Sequence, residues 1–162
     1  MDVIWAPWRI EYIKREKEKE CIFCRGAREE RDRENLILLR GTTSFIIMNR
    51  YPYSNGHLMI VPYRHVKELG ELLCVENLEL MNLITKSIEI LRADLTPDGF
   101  NIGVNLGRAA GAGIDDHLHF HIVPRWSGDT NFMPVIADVK VIPEYLDETY
   151  RKLVKHLGRR GD

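Results

Sequence analysis

The chain has no apolar stretch long enough to cross a membrane, no excess of either charge, and little cysteine. No run approaches the roughly 18 apolar residues of a transmembrane helix, so no membrane partner is expected. Met1-Asp2-Val3-Ile4-Trp5-Ala6-Pro7-Trp8 lacks the basic-then-apolar layout of a secretory leader, and the expected location is cytoplasmic. With 23 Lys and Arg against 24 Asp and Glu, the net charge of −1 provides no global field for nucleic acid, which is not expected as a partner. A local site for a small anion is still allowed. Three cysteines, Cys21, Cys24 and Cys74, are an odd number and do not make a secreted disulfide framework. Cys21-x-x-Cys24 leaves a metal half-site or a redox pair open, and Cys74, among leucines, reads as a small core residue. There is no internal repeat and no low-complexity linker. The 162 residues are therefore read as a single domain, 1–162, with residues 1–34 as a charged extension bearing the Cys-x-x-Cys.

Within that extension, Glu11 to Glu34 is dense in both charge signs and reads as a solvated helix and loop. Trp5, Pro7 and Trp8 are unusual for a tail and are expected to cover the body or a partner chain. Leu36-Ile37-Leu38-Leu39 and Phe45-Ile46-Ile47-Met48 read as strands joined across Gly41-Thr42-Thr43. Asn55-Gly56 marks a tight reversal before a strand from His57 to Val61. Leu78, Met81, Ile84, Ile88 and Leu91 keep a three-to-four spacing and predict an amphipathic helix over Val75 to Leu95, the longest in the chain. Phe100 to Leu106 and Leu118 to Val123 read as two more strands, and a last helix is expected from Glu144 to His156 after Pro143. The fold class is α+β: a mainly antiparallel sheet of about five strands, one long central helix and a C-terminal helix.

The chemistry concentrates in His117-Leu118-His119-Phe120-His121-Ile122-Val123. Alternation along a strand puts His117, His119 and His121 on one face and Leu118, Phe120 and Ile122 on the other. Three imidazoles side by side are costly unless used, since each carries two polar nitrogens. Just upstream, Gly107, Gly111 and Gly113 open a loop where backbone amides can approach a phosphate. A neutral imidazole is a competent nucleophile toward phosphorus, with a neighbouring histidine to protonate or hold the leaving oxygen. The same spacing also suits a tri-histidine metal site, and the local motif leaves the two open.

The wider pattern resembles the histidine-triad nucleotide-binding superfamily. His117 to Val123 matches its signature of three histidines alternating with apolar residues. Cys21-Ile22-Phe23-Cys24, Asn55-Gly56-His57-Leu58-Met59-Ile60-Val61-Pro62, Pro62-Tyr63-Arg64-His65 and Phe100-Asn101-Ile102-Gly103-Val104-Asn105-Leu106-Gly107 are similar to it as well. Trp5-Ala6-Pro7-Trp8-Arg9, Val123 to Phe132 and Lys140-Val141-Ile142-Pro143-Glu144 look like its bacterial diadenosine tetraphosphate phosphorylase (ATP adenylyltransferase) branch.

The resemblance implies an enzyme in which His119 attacks the α-phosphorus of a nucleotide. The covalent nucleotidyl-histidine then passes to phosphate or to water. His121 is expected at the phosphate or the leaving group. Asn49 is expected at the ribose, Asn105 at the phosphate end, and Gly111, Ala112, Gly113 and Ile114 along the phosphate loop. The substrate class is dinucleoside polyphosphates such as diadenosine tetraphosphate, with nucleoside phosphoramidates, or nucleotide binding with little turnover, as alternatives. Many members carry Ser or Gln just before the triad, where this chain has Gly113-Ile114-Asp115-Asp116. The two aspartates repel an anionic substrate unless they face solvent, cap a turn or meet a divalent cation brought with it. Some members close a structural zinc site with a histidine after the Pro-x-x-His turn and the first triad histidine, which gives Cys21, Cys24, His65 and His117 here. The alternative is a pair of reduced core cysteines with His65 at the surface. His57 is left between a place near the nucleotide and a structural one. His156 is expected in solvent, and Trp126 with Asp129 to Phe132 over a pocket edge or on a partner subunit. Members are generally homodimers.

Overall fold

The structure is a computed structural model that describes residues 20–111, 114, 116–129, 142 and 144–158. Five strands form one antiparallel sheet in the order β1-β2-β3-β5-β4. The strands are β1 (Ile37–Arg40), β2 (Ser44–Met48), β3 (Leu58–Pro62), β4 (Gly99–Val104) and β5 (Phe120–Arg125). Short helices α1 (Ile22–Arg28) and α2 (Asp32–Asn35) precede the sheet. The long helix α3 (Cys74–Leu95) lies between β3 and β4, and α4 (Leu146–His156) closes the described chain. The α+β class, the antiparallel sheet and both main helices agree with the sequence reading.

Apolar and β-branched residues dominate the central strands, and every residue of β2 and β3 is buried, so both faces of the sheet centre are covered. β1 and β2 pair with Arg40 opposite Phe45, closed by the Gly41 amide donating to the Ser44 carbonyl at 2.8 Å. Helix α3 lies against β2, β3 and β5, and α4 lies against α3 and β1. Gly56 fits the reversal expected of Asn55-Gly56. Its φ is +70°, and a Cβ there would sit 2.4 Å from Leu95 Cδ1 and 2.9 Å from Leu91 Cδ2.

Three expectations need correction. The buried stripe of α3 is Leu80, Leu83, Ile84, Ser87, Ile90 and Leu91, whereas Leu78 and Met81 are 65% and 59% exposed. Apolar residues lie on more than one side of this helix, and periodicity alone does not choose which stripe meets the sheet. Cys74 is exposed rather than in the core, because it opens α3 ahead of that stripe. The last strand begins at Phe120, not Leu118. His117 to His119 approach it outside the ladder, where the Leu118 amide donates to the Val66 carbonyl at 2.7 Å. Of the charged extension the structure describes residues 20–34, and there α1 buries Phe23 and Gly26.

Helix α1 is anchored from β1. Arg40 donates to the carbonyls of Gly26, Ala27 and Glu29 at 3.1, 2.6 and 2.7 Å and to Asp32 Oδ1 at 2.8 Å. These are carbonyls a helix C-terminus leaves without intrahelical partners, and a cation there also meets the negative end of the helix dipole.

Candidate active site and metal centre

The three triad histidines are buried, at 1%, 5% and 9% exposure for His117, His119 and His121, and each is held differently. His117 Nε2 lies 2.9 Å from the Pro62 carbonyl. A carbonyl only accepts, so Nε2 carries the proton and Nδ1 keeps its lone pair. His119 Nδ1 lies 2.8 Å from the His117 carbonyl, which by the same logic leaves the lone pair of His119 on Nε2. His57 Nδ1 accepts the Tyr53 backbone N–H at 3.1 Å, so His57 holds its proton on Nε2, 3.0 Å from His121 Nδ1. His121 thus accepts at Nδ1 and carries its proton on Nε2. An acceptor nitrogen on His119 and a donor nitrogen on His121 sit on rings whose centroids are 4.8 Å apart.

Burial favours the neutral form of these rings. It holds His119 below the usual histidine range against the small opposing effect of its hydrogen bond to the His117 carbonyl. Burial likewise takes His117 down to about 4. At neutral pH both are neutral imidazoles with an available lone pair.

His117 presents its Nδ1 to the cysteines. Cys21 Sγ is 3.2 Å and Cys24 Sγ 3.5 Å from His117 Nδ1, and Cys24 Sγ is 3.3 Å from His65 Nδ1. The four ligand atoms all lie within 4.8 Å of one another. With Zn–S of about 2.3 Å and Zn–N of about 2.0–2.1 Å, a tetrahedral site has S···N edges of about 3.5 Å, so the donor set and its spacing fit zinc. Burial, then the neighbouring Cys21, push the Cys24 thiol up to about 11. The Cys24 thiolate is thus disfavoured until a divalent cation supplies the opposite charge. The Pro62 carbonyl that fixes the His117 tautomer is the outer partner such a ligand ordinarily needs. Among the described residues this convergent donor group takes His117 but neither His119 nor His121. Both nitrogens of His117 are taken up by the Pro62 carbonyl and the cysteines, so its ring faces away from a tri-histidine arrangement.

The expected nucleotide residues are placed as follows. Asn49 follows β2 and is half-buried. Its Oδ1 accepts the Tyr51 N–H at 2.9 Å and its Nδ2 is 3.4 Å from His57 Nδ1. The Val104–Phe120 pair carries half-buried Asn105 to the end of β5 where the triad enters. Gly111 is exposed with φ +87°, and Ile114 is half-buried. Ala112, Gly113 and Asp115 lie outside the described residues, as do Trp5, Trp8, Pro143 and the segment from Thr130 to Val141. Asp116 is exposed, as expected of a carboxylate facing solvent. Trp126 donates from its indole to the Leu95 carbonyl at 3.3 Å, which ties the end of β5 to the end of α3. His156 is exposed, with Nε2 3.5 Å from Asp94.

Two contributors escaped the sequence reading. Tyr53 stacks on His57 with centroids 4.8 Å apart, and four residues of turn-rich loop gave no sign of it. Phe23 is 1% exposed and lies against both His117 and His119. Its signal was present: an apolar pair between two cysteines in an otherwise charged segment.

A small antiparallel sheet that ends in three differently held histidines beside a Cys₂His₂ cluster defines a histidine-triad protein. The chain belongs to the HIT family, whose domain model matches residues 30–128. It is 40% identical to an AP-4-A phosphorylase of Mycobacterium tuberculosis over 97% of this chain and 85% of that protein. It is also 32% identical to the adenosine 5'-monophosphoramidase of Schizosaccharomyces pombe over 65% of this chain and 74% of that protein. The fold matches a Zn-bound histidine triad family protein of Mycobacterium smegmatis with a TM-score of 0.67 and 22% identity, over 86% of this chain and 94% of that one.

Proposed function

We propose that this chain cleaves dinucleoside polyphosphates such as diadenosine tetraphosphate by phosphorolysis, through a covalent nucleotidyl-His119 intermediate. The observation that carries the reading is the 2.8 Å bond from His119 Nδ1–H to the His117 carbonyl, which leaves the Nε2 lone pair for attack. His119 Nε2 forms a bond to the α-phosphorus while the bond to the bridging oxygen breaks. That oxygen leaves as the nucleoside polyphosphate, taking the proton of His121 Nε2–H. Inorganic phosphate then attacks the same phosphorus, the P–N bond breaks, and the acceptor's proton returns to the histidine pair. Diadenosine tetraphosphate plus phosphate gives ATP and ADP. Asn49 at the ribose, Asn105 at the phosphate end, and the loop of Gly111, Ala112, Gly113 and Ile114 form the nucleotide site in this reading. The Gly111 N–H is taken by the Arg108 carbonyl at 2.9 Å, so the donors to the developing charge on the phosphoryl oxygens come from the loop beyond it. A divalent cation accompanies the polyphosphate as part of the substrate.

The likeness to the Mycobacterium tuberculosis phosphorylase supports phosphate as the acceptor. Product analysis on diadenosine tetraphosphate, with and without inorganic phosphate, tests it. ADP and ATP formed only with phosphate is the expected result. AMP and ATP irrespective of phosphate makes the chain a hydrolase. No cleavage, with turnover of adenosine phosphoramidate instead, places it with the monophosphoramidase relative. His119→Asn is expected to retain nucleotide binding and lose turnover, which separates an enzyme from a nucleotide-binding protein.

Zinc held by Cys21, Cys24, His65 and His117 is part of the same proposal, as a closed site whose chemistry is to fix ligand orientation. So is a cytoplasmic homodimer. Among the described residues no helix is long and apolar enough to cross a membrane. β4 is an outer strand of the sheet with Asn101, Ile102 and Gly103 exposed, and α3 exposes Leu78 and Met81. Arg92 of α3 lies 5.6 Å from the Phe100 ring of β4, so helix and strand edge belong to one side of the molecule. A second copy meeting that edge antiparallel to itself pairs, by two-fold symmetry, the backbone groups that no described strand takes. Sedimentation of Ile102→Lys is expected to show a monomer.

A further inference from the structure

Phe23 lies between the two cysteines of the metal cluster, on the first turn of α1, and its ring is 1% exposed. It meets His117 edge-on, with centroids 5.4 Å apart and planes at 79°. It also lies 5.1 Å from His119 at 52°. His119 is thereby held on three sides: by its Nδ1–H bond to the His117 carbonyl, by the His121 ring at 4.8 Å, and by Phe23. Two of the three lead back to the cluster. His117 is itself a cluster donor, and Phe23 is flanked in sequence by Cys21 and Cys24. Helix α1 has seven residues, too few to be a stable element alone, and Arg40 anchors only its C-terminal end.

We propose that Phe23 is a positioning residue that couples the Cys21–Cys24–His65–His117 cluster to the orientation of the His119 ring. The cluster fixes the start of α1, α1 fixes the Phe23 ring, and that ring bars the His119 imidazole from tilting away from the line on which Nε2 meets phosphorus. Phe23 takes no part in proton or phosphoryl transfer. Misplacing a nucleophile by an ångström raises the barrier to the chemical step while leaving remote binding contacts in place. The effect therefore falls on kcat, not on KM. This rests on the reading of His119 as the nucleophile.

The test uses the full chain with zinc added, as wild type, Phe23→Ala and Phe23→Leu. Leucine keeps much of the buried volume without the flat face, so a folded variant is available even if alanine fails to fold. Three quantities are read for each: zinc per chain, kcat and KM for diadenosine tetraphosphate with phosphate, and the side-chain ¹⁵N signals of His119. The expected result is full zinc content and an unchanged KM in both variants. kcat falls about tenfold or more in Phe23→Ala and less in Phe23→Leu. The His119 signals, distinct for Nδ1–H and bare Nε2 in the wild type, average toward one another in the variants in the same order. A raised KM with kcat retained overturns the proposal and makes Phe23 a nucleotide contact. Loss of zinc with kcat retained overturns it and makes Phe23 packing for the cluster alone. Unchanged His119 signals in both variants overturn it as well. If the wild-type chain cleaves nothing, the functional reading fails by itself, and the ¹⁵N signals still decide whether Phe23 holds the ring.

Discussion

Replacing His57 by phenylalanine tests the proton arrangement of the site. His57 is 1% exposed, accepts the Tyr53 N–H at 3.1 Å and lies with Nε2 3.0 Å from His121 Nδ1. Phenylalanine fills the space and offers neither group. A buried polar atom deprived of its partner costs about 1–3 kcal/mol, and two such atoms put the loss at about 2–6 kcal/mol. Most of that range lies below the about 5–15 kcal/mol of a typical domain, so the variant is expected to fold with a lowered melting temperature. The chemical effect is separate. Without the His57 donor, His121 is no longer held with its proton on Nε2. A hydrogen bond of about 1.4 kcal/mol corresponds to about tenfold in the tautomer ratio. kcat for ADP and ATP formation at saturating phosphate is accordingly expected to fall about tenfold, with KM changed little, because the lost interaction acts in the transition state. His57→Gln, whose amide offers both an acceptor and a donor, is expected to recover part of kcat. A stability loss with wild-type kcat refutes the relay and leaves His57 as packing.

Three further outcomes follow from the geometry. A chelator is expected to lower the melting temperature of the zinc-loaded chain, because metal bound to the folded state alone stabilises it, and Cys24→Ala is expected to be insensitive; fluorimetric melts of both decide this. Gly56→Ala puts a side chain at φ +70° and a Cβ 2.4 Å from Leu95 Cδ1, so the left-handed strain of about 1–2 kcal/mol and an overpacking cost of about 1–3 kcal/mol together lower the denaturant midpoint strongly. Glu76 is buried and its carboxylate takes a hydrogen bond from Arg64 Nε at 2.7 Å, which holds its pKa below 4.5. The stability this contributes is full above pH 4.5 and is lost as pH falls through the lower folded value. Urea unfolding across that range is expected to show a steeper acid loss for the wild type than for Glu76→Gln, and parallel curves refute the linkage.

The sheet was legible because its strands are short apolar runs separated by turn residues, and Gly41 and Gly56 fall where the chain reverses. Helix α3 was legible as an element, but not as a packed surface. Its spacing fits a stripe through Leu78 and Met81 as well as one through Leu80, Leu83 and Leu91, and only the sheet beneath selects between them. Phe23 carried a local signal, an apolar pair between two cysteines, but not the place it occupies. A seven-residue helix in a charged segment does not choose its own position, and its C-terminal end is held by Arg40, eleven to fourteen residues from the carbonyls it meets. Of the candidate metal donors, the Cys21-x-x-Cys24 half was legible from spacing, but His65 and His117 only through family resemblance, since the four are spread over most of the chain.

The sequence presents three equivalent imidazoles, and the fold makes them chemically different. A carbonyl on β3 takes the Nε2 proton of His117 and turns its Nδ1 lone pair to the cysteines. The carbonyl of His117 accepts the Nδ1–H of His119 and leaves its lone pair on Nε2, the nitrogen proposed to attack phosphorus. A fourth histidine, fixed by the Tyr53 amide, donates to His121 and leaves it with a proton to give. Each assignment depends on an acceptor or donor supplied by backbone, and none depends on the identity of residues 118, 120 or 122. Alternation puts the rings on one face, but the division of proton positions on which the proposed roles rest arises because the triad enters its strand only at Phe120. Up to that point the His117 carbonyl is outside the ladder and available to a side chain. A triad fully embedded in β5 would spend that carbonyl on a neighbouring strand, and His119 would lose the bond that sets its tautomer.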